Sequence, residues 1–253
     1  MKTIAVIPAR YESTRLKGKP LLDICGHPMI WWVYQNVLKV KHFADVIIAT
    51  DDHRIVDVCN SLGMKAVMTD RHPTAIHRIY ELSQKYEADL YVQINGDEPL
   101  LDPQTIGRIF DIEKLPEGEY GINLIATTNN AVEINDVSNI KVVFSESGKC
   151  LYMSRTPIPT PFQTLEYSYH KHLGVIAYSR EMLAFYAKSS PGRLESIEGI
   201  DLLRFMDYDK PLYIINAGEV ETLSVDTAKD LEAVRKKIAE RQCREAVNAS
   251  DNV

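Results

Sequence analysis

The chain has 253 residues, of which 45% are hydrophobic, and a formal net charge of −6. A chain of this length can bury one sizeable core, so we expect one large domain or a domain with an insertion. The acidic balance argues against a general nucleic-acid binder, which normally has a basic footprint. It still allows a nucleotide site, because Lys and Arg side chains can cluster locally in an acidic protein.

The sequence has no feature of a membrane or secreted protein. No apolar run approaches the roughly 18 residues of a membrane helix, and charges follow the short apolar start at once. The cysteines are widely spaced and form no paired motif: Cys25, Cys59, Cys150 and Cys243. Such cysteines are typical of reduced thiols. We therefore expect a cytoplasmic protein that binds neither membrane nor nucleic acid.

The first half of the chain predicts strands that alternate with helices. The predicted strands are residues 3–8, 45–50, 65–68 and 90–94, and the predicted helices are residues 28–40, 52–62 and 75–86. This alternation indicates right-handed βαβ units and a mostly parallel sheet. Ligands bind beyond the carboxyl ends of the strands in such sheets, so we expect the loops there to form the site.

The second half predicts strands that are joined by loops instead of long helices. These strands are residues 120–127, 140–144, 149–154, 172–178 and 212–215, with a further strand-like segment before Val225. We expect antiparallel additions to the sheet, a helix over residues 180–188 and a terminal helix from Asp226 to about Glu245. Residues 1–247 would form one domain, and residues 248–253 a frayed tail.

The loop after the first strand is rich in cations. Arg10, Arg15, Lys17 and Lys19 lie within ten residues of one another. Backbone N–H groups and fixed cations at this edge of a sheet can hold a triphosphate and offset the charge that develops on pyrophosphate. Arg suits bidentate phosphate contacts, and Lys acts as a mobile point charge. A solvated basic loop is the alternative.

Two carboxylates stand at predicted strand ends. Asp97 follows Gly96 just after the strand over residues 90–94, and Asp226 lies at a strand–helix junction. Carboxylates are ligands that Mg²⁺ prefers, although Gly-Asp is also a common turn and Asp a common helix cap. Together with the basic loop they predict a metal-bridged nucleotide site, at which positioning and charge neutralisation do most of the catalysis.

Seven segments, in this order, resemble the CMP-Kdo synthetases (3-deoxy-manno-octulosonate cytidylyltransferases). They are residues 7–20, 26–30, 49–52, 96–100, 152–155, 172–174 and 225–227. The resemblance covers nearly the whole chain. It implies an α/β, Rossmann-like nucleotide-diphospho-sugar transferase fold, with a mostly parallel central sheet and antiparallel additions in the second half. It also implies a homodimer, with a dimerisation or acceptor-side subdomain within residues 115–190.

The resemblance implies a reaction and a set of residues for it. The anomeric hydroxyl of an acidic acceptor would attack the α-phosphorus of CTP and release pyrophosphate, in lipopolysaccharide biosynthesis and without a covalent enzyme intermediate. The expected catalytic residues are Asp97, Asp226, Lys19 and Arg15, and the two aspartates would hold Mg²⁺. The expected nucleotide contacts are Pro8, Ala9, Arg10, Ser13, Arg15, Lys19, Thr74, Ala75, Arg78 and Asn95. The expected acceptor contacts are Arg155, His172, Asp201, Leu202 and His77.

The chain departs from the family pattern at positions that should face the substrates. The pattern His-x-Ser-Gly-Thr-Asp/Glu-Arg corresponds here to residues 72–78, with Thr, Ala, Ile and His at the four central positions. Gln93 and Asn95 stand in swapped order relative to the family strand end. Glu-Gln-Leu-Arg becomes Asp201-Leu202-Leu203-Arg204, and Leu202 removes both a donor and an acceptor.

The departures leave several functions open. The acceptor could still be Kdo, or it could be another ulosonic or modified sugar acid or a small phosphonate, whose negative charge His172 and Lys171 would suit. His77 could join a polar network or accept a proton, or it could simply face solvent. A non-catalytic nucleotide-binding regulator is a third reading, but Asp97 and Asp226 favour an enzyme.

Overall fold

The computed structural model describes residues 1–12, 16–112, 116–164 and 166–250, with side chains as far as Arg244. The strands are β1 (Thr3–Ala9), β2 (Asp23–Ile24), β3 (His27–Pro28), β4 (Asp45–Thr50), β5 (Ala66–Met68), β6 (Leu90–Ile94), β7 (Gly121–Thr128), β8 (Lys141–Phe144), β9 (Cys150–Ser154), β10 (Tyr169–Ser179) and β11 (Leu212–Asn216). The helices are α1 (Met29–Leu38), α2 (His53–Ser61), α3 (Ala75–Lys85), α4 (Pro103–Gly107), α5 (Ala131–Asn135), α6 (Arg180–Lys188), α7 (Arg193–Glu198), α8 (Leu203–Asp207) and α9 (Ala228–Ser250).

The main sheet combines parallel and antiparallel strands as the sequence predicted. Its order is β11-β7-β10-β6-β1-β4-β5, and β8 and β9 form a hairpin that joins β10 through β8. β1 pairs in parallel with β4 and β6, β4 with β5, and β11 with β7. β10 runs antiparallel between β6 and β7. The predicted fold class is therefore confirmed.

Both faces of the central strands are covered. Along β1, Ile4 and Val6 pack in one apolar cluster, whereas Ala5 and Ile7 pack in another on the opposite face. This follows from the two-residue period of a strand. A strand buried on both faces has a nearly continuous apolar sequence, which is why β1, β4 and β6 could be predicted so closely.

The carboxyl ends of β1 and β6 bring the predicted loops together. Arg10 follows β1 directly, and Asn95 follows β6, at the same edge of the sheet because these two strands pair in parallel. Helix α3 begins at this edge too, where the Thr74 hydroxyl accepts a hydrogen bond from the N–H of His77 at 3.4 Å. Three separate segments of sequence therefore contribute side chains to one place.

The region before the terminal helix differs from the prediction. Residues 217–227 form no strand, so the strand predicted before Val225 is wrong. Val225 instead donates its N–H to the carbonyl of Asp97 at 2.9 Å and packs in a small apolar cluster beside α9. Helix α9 begins at Ala228, so Thr227, one of two cap residues that the sequence suggests, directly precedes it and accepts the N–H of Asp230 at 3.3 Å. The Asp230 carboxylate in turn accepts the N–H groups of Asp226 and Thr227 at 3.1 and 2.8 Å.

The tail and the cysteines can be compared with their predictions as far as the structure describes them. The backbone of residues 248–250, which the sequence predicted to fray, continues α9.

All four cysteines are free thiols, as predicted. Within the part of the chain that the structure describes, every helix is too short or too polar to span a bilayer. The single domain over residues 1–247 and the subdomain within 115–190 stay predictions.

Candidate functional site

A cavity of about 410 Å³ opens at the carboxyl ends of β1 and β6. We call it the aspartate cavity. Its lining comes from the end of β1 and the loop after it, from α1, from the start of α3, from the loop after β6 and from the segment before α9. The lining residues are Pro8, Ala9, Arg10, Glu12, Lys19, Pro20, Met29, Ala75, Asn95, Gly96, Asp97 and Asp226. Most of the predicted nucleotide contacts in the described part of the chain are thus brought together here.

Lys19 joins the two predicted metal ligands. Its ammonium group donates to Asp97 Oδ2 at 2.7 Å and to Asp226 Oδ1 at 3.3 Å. All three side chains are partly exposed to the cavity. Without a cation, two carboxylates this close would repel each other, and the ammonium group offsets that repulsion. The prediction that Lys19, Asp97 and Asp226 share one site is consistent with this geometry.

Tight packing behind the cavity fixes the loop that carries Asp97. The N–H of Gly174 in β10 donates to Glu98 Oε1 at 3.0 Å, and its carbonyl accepts the N–H of Asn95 at 2.8 Å. A Cβ at position 174 would overlap Glu98 Oε1 and lie only 2.6 Å from Asn95 Cβ, so this position requires glycine. Burial and the neighbouring Asp97 raise the pKa of Glu98 to about 8.

A second cavity of about 260 Å³ adjoins the first. We call it the histidine cavity. Arg10, Ala75 and Asn95 line both cavities, so a ligand in one would lie beside a ligand in the other. The further lining residues of the histidine cavity are Ile76, Gln93, Ile140, His172, Ile176, Tyr178, Gly199, Ile200, Asp201 and Leu202.

The tautomer of His172 is set by a buried amide. Asn123 donates its Nδ2 hydrogens to the carbonyls of Leu173 and Val175 at 3.0 and 3.2 Å. Its Oδ1, which lies 2.9 Å from His172 Nδ1, must therefore accept a hydrogen bond from that nitrogen. Burial lowers the pKa of His172 to about 4, so the imidazole is neutral at pH 7 and its Nε2 is an acceptor.

His172 and Lys171, which were expected to suit an anionic acceptor, bring no positive charge into the histidine cavity, so that expectation is wrong for these two side chains. His172 is neutral for the reason just given. Lys171 is buried and pairs with Glu133, with Nζ 2.9 Å from Oε1, on the other side of the strand from His172. Arg10, which forms no ion pair with any of the described residues, is the cation that lines the histidine cavity.

Asp201 and Leu202, two of the predicted acceptor contacts, both line the histidine cavity and have opposite characters. Asp201 is half-buried, and none of the described residues donates a hydrogen bond to its carboxylate. Burial, followed by the charge of Glu195, raises the pKa of Asp201. Leu202 is buried and presents an apolar surface beside it. The carboxylate is therefore available to a donor group on a ligand.

Three predicted contacts on or beside α3 line neither cavity. Thr74 accepts the N–H at the start of the helix, and its hydroxyl lies 2.8 Å from His77 Nδ1. The His77 ring packs edge-on against Tyr186 at 5.1 Å, and burial lowers its pKa. Arg78 is buried, with its guanidinium 3.1 Å from the Asp51 carboxylate. The structure thus gives these residues contacts within the protein.

Arg155 is the fourth predicted residue outside the two cavities. Its guanidinium donates to the carbonyls of Glu198, Val137 and Gly199 at 2.8, 2.9 and 3.1 Å. All of its nitrogen atoms therefore bind backbone oxygens. Arg155 thus holds the backbone at the end of α7, where Gly199 lines the histidine cavity.

Some predicted residues are not described, and some lining residues were not predicted. Ser13 and Arg15 lie outside the described residues. Ile176 and Tyr178 alternate along β10, so a two-residue period could have identified them as one face. Ile140 and Ile200 come from loops far apart in sequence, and no local pattern marks them.

The donor set of the aspartate cavity is limited. Among the described residues no group of three or more His, Cys, Asp and Glu side chains could hold a metal ion alone. Mg²⁺ is usually held by one or two protein carboxylates together with substrate phosphates. The pair formed by Asp97 and Asp226 fits that requirement. One cationic group, Lys19 Nζ, contacts both side chains at once, so the two carboxylates are close enough to share a cation.

Comparison with known proteins agrees with this geometry. A family model described as cytidylyltransferase matches residues 4–216. The 3-deoxy-manno-octulosonate cytidylyltransferase of Escherichia coli is 37% identical over 97% of this chain and 99% of its own length. The 8-amino-3,8-dideoxy-manno-octulosonate cytidylyltransferase of Shewanella piezotolerans is 35% identical over 94% of this chain and 99% of its own.

Solved structures give the same result. The structure of CMP:2-keto-3-deoxy-manno-octonic acid synthetase complexed with CTP matches with a TM-score of 0.87 and 37% identity, over 95% of this chain and 100% of that one. An inositol-1-phosphate CTP transferase from T. maritima, at 15% identity and a TM-score of 0.66, shares the fold. The resemblance seen in the sequence is confirmed: the chain belongs to the cytidylyltransferase family and is an enzyme of the nucleotidyltransferase class.

Proposed function

We propose that the protein transfers the CMP group of CTP to the anomeric hydroxyl of Kdo or a related ulosonic acid and releases pyrophosphate. One observation carries this proposal: the aspartate and histidine cavities adjoin and share Arg10, Ala75 and Asn95. Two reactants bound in them would lie next to each other, as a group transfer requires. The relatives whose names specify CTP and octulosonate substrates support the assignment.

The aspartate cavity would bind the nucleotide. Arg10 and Lys19 provide positive charge for the phosphates, and Asp97 and Asp226 would hold Mg²⁺. A bound magnesium ion would supply charge neutralisation at the phosphates. The Lys19 ammonium group contacts both carboxylates. Because the lysine side chain is flexible, this group could move from the aspartates to the phosphates when CTP binds.

The histidine cavity would bind the acceptor. The neutral His172 offers Nε2 as an acceptor for a substrate hydroxyl, and the Asp201 carboxylate can accept a second one. Arg10 stands between the cavities, where its charge suits both the carboxylate of the acceptor and the phosphate under attack. These contacts would orient the anomeric hydroxyl towards the α-phosphorus.

Acceptor-dependent release of pyrophosphate tests the proposal. The purified enzyme is mixed with Mg²⁺, CTP and Kdo, and parallel reactions contain UTP or ATP or lack the acceptor. We expect turnover on the order of 1–100 per second with CTP and the acid together, and little without the acid. Release that does not depend on the acid, or no release with any ulosonic acid, would refute the function.

The remaining features of the family stay proposals for this chain. We propose that magnesium is the metal, that the enzyme is a cytoplasmic homodimer, and that its product is consumed in lipopolysaccharide assembly. Sedimentation velocity tests the dimer, since a monomer at micromolar concentration would contradict it. Replacing Mg²⁺ by Ca²⁺, whose longer bonds and looser geometry suit phosphoryl chemistry poorly, should abolish turnover.

A further inference from the structure

One side of the histidine cavity is apolar. Ile76, Ile176 and Leu202 line it, and these side chains are only 2%, 2% and 5% exposed. They come from three different elements: the first turn of α3, the end of β10 and the residue before α8. Ile76 stands where the family pattern has Thr, and Leu202 stands where it has Gln. Two side chains that could form hydrogen bonds are therefore replaced by hydrocarbon.

Several polar groups of the same cavity already bind one another. The Tyr178 hydroxyl donates to Gln93 Oε1 at 3.3 Å, and Gln93 Nε2 donates to Asn95 Oδ1 at 2.8 Å. Gln93 in β6 and Asn95 just after it stand two residues apart, and their side-chain amides pair. Their capacity to bind a ligand is reduced by these contacts.

The polar groups left for the acceptor are therefore few. Among the described lining residues they are Arg10, Nε2 of His172, the carboxylate of Asp201 and the Nδ2 group of Asn95, whose Oδ1 alone is used by Gln93. Arg10 and the Asn95 amide can bind the carboxylate of a sugar acid, and His172 and Asp201 can each accept a hydroxyl hydrogen. A further hydroxyl that faced Ile76 or Leu202 would lose its bonds to water and find no partner there.

We infer that the preferred acceptor is an ulosonic acid with an apolar group in place of one hydroxyl, namely a deoxygenated carbon or the methyl of an N-acyl group. That group packs on the wall formed by Ile76, Ile176 and Leu202. The inference rests on the proposed function and specifies its substrate. An apolar pocket discriminates against one extra hydroxyl by up to roughly 100-fold, so the preference over Kdo should be about 10- to 100-fold in kcat/KM.

The test compares acceptors and variants in the pyrophosphate-release assay. The acceptors are Kdo, Kdo derivatives that each lack one hydroxyl group, and N-acetylneuraminate. The variants Leu202→Gln and Ile76→Thr each restore a polar side chain to the wall. Leu202→Met keeps the wall apolar, and Ile197→Gln makes the same change in polarity at a residue that is 70% exposed and outside the cavity.

We expect at least one deoxygenated or acylated acid to exceed Kdo by about 10-fold or more in the parent enzyme. Leu202→Gln and Ile76→Thr should each lower the ratio of kcat/KM for the preferred acid to kcat/KM for Kdo by about 10-fold. The two control variants should leave this ratio unchanged. If Leu202→Gln fails to fold, Ile76→Thr carries the test, since threonine is smaller than isoleucine and has the same branching.

Three results overturn the inference, and they can be told apart. Turnover that is best with Kdo, with a ratio that neither polar variant moves, contradicts the apolar wall and leaves the proposed function intact. Absence of turnover with every acid overturns the proposed function, and the inference falls with it. A ratio moved equally by Leu202→Gln and Ile197→Gln would also refute the assignment, because the effect would not come from the cavity.

Discussion

The neutral state of His172 makes the stability of the protein depend on pH in a defined direction. In the unfolded chain its pKa is about 6.5, and burial lowers it to about 4 in the folded protein. Between these values the unfolded chain binds the proton and the folded protein does not. Stability is therefore unaffected by this group above pH 6.5 and falls as the pH drops below it.

The size of the effect follows from the two pKa values. At pH 5.0 the protonated imidazole of the unfolded chain outnumbers the neutral one about 30-fold. At 1.36 kcal/mol for each factor of ten, this ratio lowers the free energy of unfolding by about 2 kcal/mol. The variant His172→Asn removes the titration, and its amide can still donate to Asn123. Between pH 7.5 and 5.0 we expect the parent protein to lose about 2 kcal/mol more unfolding free energy than this variant.

Urea unfolding followed by circular dichroism at the two pH values measures this difference. All other titrating groups are common to both proteins, so their contributions cancel to a first approximation. An NMR titration of the His172 imidazole provides a direct check, since the ring should stay neutral down to about pH 5. Equal pH dependence in both proteins, with the imidazole titrating near 6.5, would refute the argument.

Three further perturbations test other parts of the structure. Asp97→Asn and Asp226→Asn should each lower kcat at least about 100-fold with little change in melting temperature, because partly exposed ion pairs contribute little stability; near-normal kcat in either would remove it from the metal site. Arg204→Met should cost about 3–5 kcal/mol in chemical denaturation, since it leaves the buried Glu195 unpaired, and adding Glu195→Gln should recover part of that loss. Gly174→Ala should lower the free energy of unfolding by about 1–3 kcal/mol, and with it the melting temperature, and it should also lower kcat. Unchanged stability and kcat would contradict the packing behind the aspartate cavity.

The sheet and the aspartate cavity could be predicted because their signals are local. β4 and β6 have the predicted bounds, since each is a run of apolar residues buried on both faces. Their carboxyl ends, together with that of β1, had to meet at one edge. For that reason Arg10, Lys19 and Asp97 could be placed in one site before the structure was known.

Other features depend on contacts between distant parts of the chain. The segment before Val225 was predicted to be a strand, but residues 217–227 form none; Val225 packs against α9 and its N–H donates to the carbonyl of Asp97. Arg155 was expected to contact the acceptor, but its guanidinium donates to backbone carbonyls at the end of α7 and to that of Val137 after α5. The suitability of His172 and Lys171 for an anion was misjudged for the same reason, since only the fold reveals that Asn123 binds His172 and that Glu133 pairs with Lys171.

The departures from the family pattern gain a physical meaning from the structure. The sequence showed that Ile76 and Leu202 replace polar residues, and it left the consequence open. In the structure both side chains belong to one wall of the histidine cavity, whereas His77, another departure, packs outside it against Tyr186. Expected effects on the acceptor can therefore be assigned to the first two residues rather than to the third.

Phosphorus NMR of a single reaction mixture tests the central claim most directly. The mixture contains the enzyme, Mg²⁺, CTP and an ulosonic acid, and the spectrum distinguishes CTP, CMP, pyrophosphate and a phosphodiester. We expect the CTP signals to be replaced by equal amounts of pyrophosphate and a new CMP phosphodiester, only when the acid is present. Unchanged CTP with every ulosonic acid, or conversion to free CMP without a phosphodiester, would contradict the account.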